Sequence, residues 1–135
     1  MKKHLNVVAA IIIYKGKILC MQRGDSPYPY TSHKYEFPGG KVEPGEAKHV
    51  ALERELREEM AIEVNVKESD LFMSVEHDYP DFSLTLSTFL CRVSSPDFIR
   101  KEHIASQWLR PAELDTLAWA PADYPVTEKL SKMVF

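Results

Sequence analysis

The hydrophobic pattern of the chain predicts a hairpin followed by further strands. Apolar residues run through 5–13, break at Lys15-Gly16 and return at Ile18–Arg23, which is typical of two buried strands and a turn. Period-two alternation then predicts strands at 62–66, 71–77 and 82–93, with 78–81 as the turn between the last two. A short strand is also predicted at 104–109.

Helical spacing appears in fewer places. A helix is predicted from about Glu46 to Met60, after Pro44-Gly45, and a brief helical turn begins at Pro111. A terminal helix is predicted over Pro121–Met133, and its inward residues are Val126, Leu130 and Met133. This order of elements predicts an α/β (α+β) fold with a mixed sheet covered by helices.

One long segment between the second strand and the first helix lacks any period. It spans residues 24–46 and combines turn-forming residues with aromatics. Long irregular segments in compact domains usually carry function. Tyr28, Tyr30 and His33 suggest that part of it covers a site, although the sequence assigns none of them a role.

Composition narrows the class of protein. With 135 residues, 44% hydrophobic and 27% charged, the chain is predicted to form one globular domain, residues 1–135. A net charge of -3 argues against a nucleic-acid polymer as partner. The apolar run near the start breaks at Tyr14 without a cleavage site, and no run approaches the length of a membrane helix. Cys20 and Cys91 lie in strand-like segments, which predicts reduced thiols in a cytoplasmic protein.

The predicted first helix places three carboxylates on one arc. At about 100° per residue, Glu55, Glu58 and Glu59 fall within about 100° of one another, among small apolar residues. Like charges so arranged are costly unless a cation lies among them, and all-oxygen ligands suit Mg²⁺ or Mn²⁺. The alternative is a solvated acidic face on which Arg54 pairs with Glu58.

The residues before this helix favour a site for a phosphate. Gly39-Gly40 lets the backbone approach a ligand closely, and Lys41 follows as a possible phosphate contact. A Gly-Gly-Lys alone is more often a turn.

Taken together, residues 39–62, GGKVEPGEAKHVALERELREEMAI, resemble the G-x5-E-x7-R-E-U-x-E-E-x-G-U motif of the Nudix hydrolases, where U is a bulky aliphatic residue. Ala61 replaces the last Gly, at the turn that ends the helix. The positions that match are Gly40, Glu46, Arg54, Glu55, Leu56, Glu58, Glu59 and Ile62.

The resemblance covers most of the chain and is strongest to the MutT-like branch, in particular to its CTP pyrophosphohydrolases. It implies an α/β/α sandwich and the divalent-metal-dependent hydrolysis of a nucleoside triphosphate, a small-molecule partner, to a monophosphate and pyrophosphate. The implied metal ligands are the Gly40 carbonyl and Glu55, Glu58 and Glu59, and Arg54 would orient the glutamates.

The same matching suggests further catalytic roles. Glu55 is the first candidate for activating the attacking water. Glu102 resembles the distal acid of MutT-like enzymes and is the alternative base or an additional ligand; it could equally be a surface acid beside Arg100 and Lys101. Arg23 matches a phosphate-contacting position, but a strand-end Arg could also be solvated.

Selection of the base is expected at Asp123, which falls where MutT-like enzymes place a base-recognising side chain. An ionised Asp only accepts hydrogen bonds, which suits the amino group of cytosine. The alternative is an N-cap of the terminal helix. Tyr79 could stack on the base, and Tyr35 and Phe37 are further candidates, although such aromatics are more often core residues.

Three functions therefore remain open. The first is hydrolysis of CTP, dCTP or a modified or oxidised cytosine nucleotide, and the second is hydrolysis of 8-oxo-dGTP by the same acids. The third is a non-catalytic Nudix-like module that binds a nucleotide.

Overall fold

The computed structural model describes residues 2–135, which form one mixed β-sheet with helices on both of its faces. The sheet has seven strands. In chain order they are β1 (Lys3–Tyr14), β2 (Lys17–Gln22), β3 (Tyr35–Glu36), β4 (Gly39–Lys41), β5 (Leu71–Asp78), β6 (Phe82–Arg92) and β7 (Ala105–Leu109). The helices are α1 (Lys48–Met60) and α2 (Tyr124–Leu130).

Strand β1 is the spine of the sheet. The strand order is β3-β2-β1-β6-β5, with β4 paired to β1 and β7 paired to β2. β1 runs parallel to β6 along most of its length and antiparallel to β2 and β4, so the predicted mixed sheet is confirmed. The pairing of Val8 with Gly40 attaches the glycine-rich segment directly to this spine.

The continuous apolar run of β1 follows from burial on both faces. Val8, Ala10 and Ile12 pack with the inward side of α1, whereas the residues between them pack with α2 and the segment before it. A strand covered on both faces needs apolar residues at every position. This arrangement has the layers of the α/β/α sandwich that the motif implied.

Helix α1 buries Ala51, Leu52, Leu56 and Met60 against the sheet. It begins at Lys48, two residues later than predicted, so Glu46 precedes the helix. The helix ends at Met60. Its C-cap residue, Ala61, has a left-handed backbone with a φ of 55° and a ψ of 34°. The departure from the motif therefore falls on a residue in the strained conformation that glycine normally adopts.

The predicted strand at 62–66 was wrong. Ile62 and Val66 are buried, but within the described chain this segment pairs with no strand. Its alternation arises because an extended segment covers the edge of the core, where the backbone amide of Val66 donates to the Glu53 carboxylate at 2.7 Å. A side chain therefore replaces the missing partner strand.

The C-terminal helix is shorter than predicted, and the long loop holds more order. Residues Pro121–Asp123 form a 3-10 turn, and Met133 lies beyond α2 while still packing against the core. The 3-10 turn at Pro111–Thr116 confirms the helical turn predicted there. Strands β3 and β4 lie inside the segment predicted as a loop. Within residues 2–135, none of the helices has the length and apolar character required to span a membrane.

Candidate active site

A cavity of about 870 Å³ opens between the N-terminal half of β1, the irregular segment before β4, and the inward face of α1. Its volume lies within the usual range for small-molecule sites. Two groups of lining residues differ in chemistry. We call Gly40, Glu55, Glu59 and Glu102 the acidic part, and Tyr28, Phe37, Tyr79 and Asp123 the aromatic part.

The two glycines of β4 are required by close packing. A Cβ on Gly39 would lie 1.9 Å from the carbonyl oxygen of Val8, and one on Gly40 would lie 2.3 Å from the carboxyl carbon of Glu55. At Gly39 the obstacle is backbone, which cannot move aside, whereas at Gly40 it is the end of the Glu55 side chain, which would have to shift. Gly40 therefore lets the Glu55 carboxylate lie directly on the backbone of β4.

Arg54 is the structural centre of the acidic motif. Its guanidinium donates to Glu46 at 2.8 and 3.0 Å, to Glu55 at 3.0 Å and to Glu58 at 3.3 Å, and also to the carbonyl of Lys41. These contacts lower the pKa of Glu46 to about 2. The geometry agrees with the predicted orienting role of Arg54 and also contains the Arg54–Glu58 pair that the alternative interpretation expected.

Glu55 and Glu59 are the partly buried acids of this site. Burial raises the pKa of Glu55, Arg54 opposes that shift, and the charges of Glu58 and Glu102 reinforce it. Burial likewise raises the pKa of Glu59, to which the charge of nearby Glu102 adds. Two neighbouring carboxyls of this kind favour a proton or a cation between them.

Glu102 reaches Glu59 because its loop is attached to the end of α1. Lys101 donates to the carbonyl of Glu58 at 2.8 Å, and the amide of Ile99 donates to the carbonyl of Met60 at 2.9 Å. Both acceptors belong to the last turn of the helix, where carbonyls lack partners and a cation is favourable. The loop thus satisfies the helix end and brings a fourth acid to the motif.

The oxygen ligands of the acidic part suit a hard divalent cation. They comprise carboxylates and the backbone of Gly40, held where a Cβ would collide. Among residues 2–135, no three His, Cys, Asp or Glu side chains already form a set that could hold a metal ion. A cation would therefore have to draw the carboxylates closer together. Glu58 lies outside the cavity lining, with its side chain 57% exposed beside Arg54.

Asp123 is the buried acid of the aromatic part, at 6% exposure. Burial raises its pKa well above the ordinary value; the charge of Glu36 adds to this shift, and a backbone hydrogen bond from Phe37 opposes it. Asp123 stands at the N-cap position of α2, as the alternative interpretation expected, but its side chain makes no capping hydrogen bond there. Its carboxyl lines the cavity instead.

Glu36 and His103, two residues of the cavity wall near Asp123, were not singled out from the sequence. Glu36 pairs with Arg23 at 3.3 Å and with His103 at 2.9 Å, and all three line the cavity. Glu36 lies in a strand of two residues and His103 in an irregular loop, so neither has a periodic signal. The only indication in the sequence that Glu36 belongs to the site was its position close to the Pro-Gly-Gly segment.

The predicted substrate-binding aromatics occupy different positions. Phe37 lines the cavity and packs on Trp119 at 4.8 Å between ring centroids. Tyr79 also lines it but is 3% exposed, with its hydroxyl accepting from the amide of Ala122. Tyr35 lies in the core edge-on to Trp119, and its hydroxyl accepts from Gln107, as the core interpretation expected. Lys41 is exposed at the cavity rim.

Comparison with known proteins agrees with this geometry. The NUDIX domain family matches residues 2–130. The chain is 39% identical to the CTP pyrophosphohydrolase of Escherichia coli K12, covering 93% of this chain and 90% of that protein. It is 34% identical to the 8-oxo-dGTP diphosphatase of the same strain, covering 97% and 99%.

A solved structure shows the same architecture. The solution structure of MutT from methicillin-resistant Staphylococcus aureus 252, a Nudix hydrolase, is 42% identical, covers 97% of this chain and 98% of its own, and has a TM-score of 0.75. Nudix hydrolases generally use divalent metal ions such as Mg²⁺ or Mn²⁺. With its acidic motif, fold and relatives in agreement, the chain belongs to the Nudix family as a MutT-like hydrolase that acts on acid anhydrides.

Proposed function

We propose that the protein hydrolyses a nucleoside triphosphate to a nucleoside monophosphate and pyrophosphate, with CTP, dCTP or a modified or oxidised cytosine nucleotide as the preferred substrate. The observation that carries the proposal is one cavity lined both by the motif acids and by the buried carboxyl of Asp123. The relative named CTP pyrophosphohydrolase supports the choice of base.

The acidic part supplies the hydrolytic chemistry. Mg²⁺ or Mn²⁺ held by Gly40, Glu55, Glu59 and Glu102, with Glu58 at the rim, would neutralise phosphate oxygens and make a bound water more acidic. Glu55, which lies on Gly40 in the cavity wall, is the first candidate to take the proton of the attacking water, and Glu102 is the alternative. Lys41 and Arg23 lie where they can contact the phosphate chain.

Asp123 reads the base according to its protonation state. The ionised carboxylate only accepts, so it favours a base with an amino group. The protonated carboxyl also donates, so it can pair with the N3 and amino group of cytosine or with the O6 and N1–H of guanine. Because its pKa is raised, the second form matters, and hydrolysis of 8-oxo-dGTP is therefore the second candidate function.

A nucleotide panel tests the activity directly. Purified protein is incubated with Mg²⁺ or Mn²⁺ and CTP, dCTP, 5-hydroxy-dCTP, UTP, dGTP or 8-oxo-dGTP, and the monophosphate and pyrophosphate are separated and quantified. We expect both products in equal amounts and the highest kcat/KM with a cytosine nucleotide. Failure to turn over any triphosphate contradicts the proposal, and a maximum with 8-oxo-dGTP selects the second candidate.

Variants of Asp123 test base selection. Asp123→Asn is expected to change the ratio of kcat/KM for CTP and dGTP by about tenfold, the size of one good base contact. The matched control is Asp115→Asn, at an exposed acid outside the cavity, which should leave the ratio unchanged. Because Asn offers the same donor and acceptor as the protonated carboxyl, an unaltered ratio in Asp123→Asn argues against recognition by the ionised form, and an unaltered ratio in Asp123→Ala as well removes this residue from recognition.

Glu58 separates an enzyme from a binding module. Glu58→Gln is expected to keep affinity for a nucleotide while losing turnover that the parent shows. Equal turnover by the parent and the variant would remove Glu58 from the catalytic set.

A further inference from the structure

Residues 24–34, which contain the tyrosines and histidine that the sequence left without a role, are closed on themselves by local hydrogen bonds. The amides of Thr31 and Ser32 donate to the carbonyl of Tyr28, and the amide of Ser26 donates to the hydroxyl of Ser32. The hydroxyls of Ser26 and Thr31 lie 2.9 Å apart. The segment therefore has a defined shape, and several of its side chains line the cavity.

Tyr30 joins this segment to the turn between β5 and β6. Its hydroxyl donates to the Asp81 carboxylate at 2.6 Å, and its ring stacks on Tyr79 with centroids 4.7 Å apart and planes 11° apart. On its other side it stacks on Tyr28 at 5.5 Å. Tyr28 in turn packs on Phe82 at 5.3 Å, which closes the cluster.

Two of the residues that Tyr30 touches belong to the aromatic part of the cavity, whereas Tyr30 does not line it. Tyr28 and Tyr79 both line the wall. Tyr79 also accepts the amide hydrogen of Ala122, the neighbour of Asp123, at 3.0 Å. A continuous set of contacts thus runs from Tyr30 to the backbone that presents the base-reading carboxyl.

We infer that Tyr30 is a positioning residue for base selection, which holds Tyr28 and Tyr79 in place by anchoring residues 24–34 to Asp81. This inference rests on the proposed function, because it assumes that the aromatic part binds a base. Tyr30 acts through its neighbours and touches no acid of the motif. Its loss should therefore weaken binding of the base and leave binding of the phosphate chain intact.

The test compares a ligand that carries a base with a ligand that consists of phosphates alone. Calorimetry measures the binding of CMP and of inorganic tripolyphosphate, both with Mg²⁺, to the parent and to Tyr30→Ala. Loss of the stacked ring should lower CMP affinity about fivefold, which corresponds to about 1 kcal/mol, with tripolyphosphate affinity unchanged. Equal weakening of both ligands, or of neither, overturns the inference.

Kinetics and milder variants separate positioning from general stability. With CTP, Tyr30→Ala should raise KM and preserve kcat, and Tyr30→Phe, which loses only the hydrogen bond to Asp81, should raise KM about threefold. The control Tyr14→Ala removes a partly buried ring that packs on Trp108 outside the cavity, so its KM should match the parent. A KM change in the control equal to that in Tyr30→Ala overturns the inference.

Amide hydrogen exchange tests positioning without any ligand. Peptides spanning 24–34 and 119–124 should exchange severalfold faster in Tyr30→Ala than in the parent, while α1 should not change. Unchanged exchange overturns the inference. Faster exchange in a protein whose parent binds and hydrolyses no nucleotide leaves the positioning role standing and refutes the proposed function alone.

Discussion

The acidic and aromatic parts of the cavity are built in different ways. The acidic part comes from one short stretch, Gly40 to Glu59, whose spacing is set by a strand and a helix, with only Glu102 added from elsewhere. The aromatic part is assembled from residues 24–37, the β5–β6 turn and residues 119–123. The difference teaches that the acids are positioned locally, whereas the aromatic wall of the cavity depends on three distant segments meeting correctly.

The largest expected effect breaks the acidic part alone. Glu59→Gln removes a carboxylate that lines the cavity together with Glu55 and Glu102, and kcat should fall about 10² to 10⁴-fold for every substrate. Steady-state kinetics over the nucleotide panel checks this. The control Glu63→Gln, exposed just beyond α1, should retain parental kcat. A fall confined to one base would contradict the division of the cavity.

A backbone change at the same part should have the next largest effect. In Gly40→Ala the new methyl group collides with the Glu55 carboxyl, so kcat should fall about tenfold to a hundredfold through misplacement of that acid. Gly45→Ala is the control, since Gly45 has a φ of 78° and open space around it. It should lose about 1 kcal/mol of unfolding free energy and keep its kcat. Equal losses of kcat in the two variants would contradict this mechanism.

For the aromatic part, the most discriminating measurement is the dependence of the unfolding free energy on pH. The pKa of Asp123 is raised in the folded state, so folding binds protons and the parent loses unfolding free energy as pH rises from about the ordinary value of 3.8 through the raised pKa. Asp123→Asn cannot ionise there. Urea unfolding should show that its stability relative to the parent grows from pH 4 to pH 8.

The control for that measurement is Asp115→Asn, an exposed acid outside the cavity, which is unfolded in urea over the same pH range. A pH-independent difference for Asp123→Asn would show that the buried carboxyl is not held with a raised pKa.

The smallest expected effect concerns the motif position where this chain departs from its family. Ala61 is left-handed at the end of α1, so Ala61→Gly should raise the unfolding free energy by about 0.5–1 kcal/mol, after allowing for the greater freedom of glycine in the unfolded chain. Thermal unfolding measures the gain. Because the acids do not move, kcat should remain parental, and a fall in kcat would link the helix end to the acidic part.

The same difference explains what could be predicted from the sequence. The arc shared by Glu55, Glu58 and Glu59 follows from helical geometry, and the two-sided burial of β1 follows from its unbroken apolar run. Glu102 and Asp123 were reached only through the family resemblance, because no local period places them near the motif. Their roles in the reaction remain predictions.

The errors have two physical causes, which are the replacement of a backbone partner by a side chain and strands too short to produce a pattern. Residues 62–66 alternate like a strand, yet Glu53 supplies the acceptor that a neighbouring strand would have supplied. Strands β3 and β4 are too short to produce a pattern. The pairing of β4 with β1 depends on the glycines of β4, which let the two strands approach. The position of Tyr30 on Tyr79 depends on such long-range pairing and had no sequence signal.

The spine strand has a consequence for synthesis of the protein on the ribosome. Lys3 pairs with Phe82 and Ile13 with Arg92, so β1 gains its parallel neighbour only after more than half of the chain has emerged. Pairings of such long sequence separation slow folding and leave apolar strands exposed in the meantime. The apolar run at 5–13 is thus synthesised well before the strand that shields it, and its burial has to wait for residues 82–92.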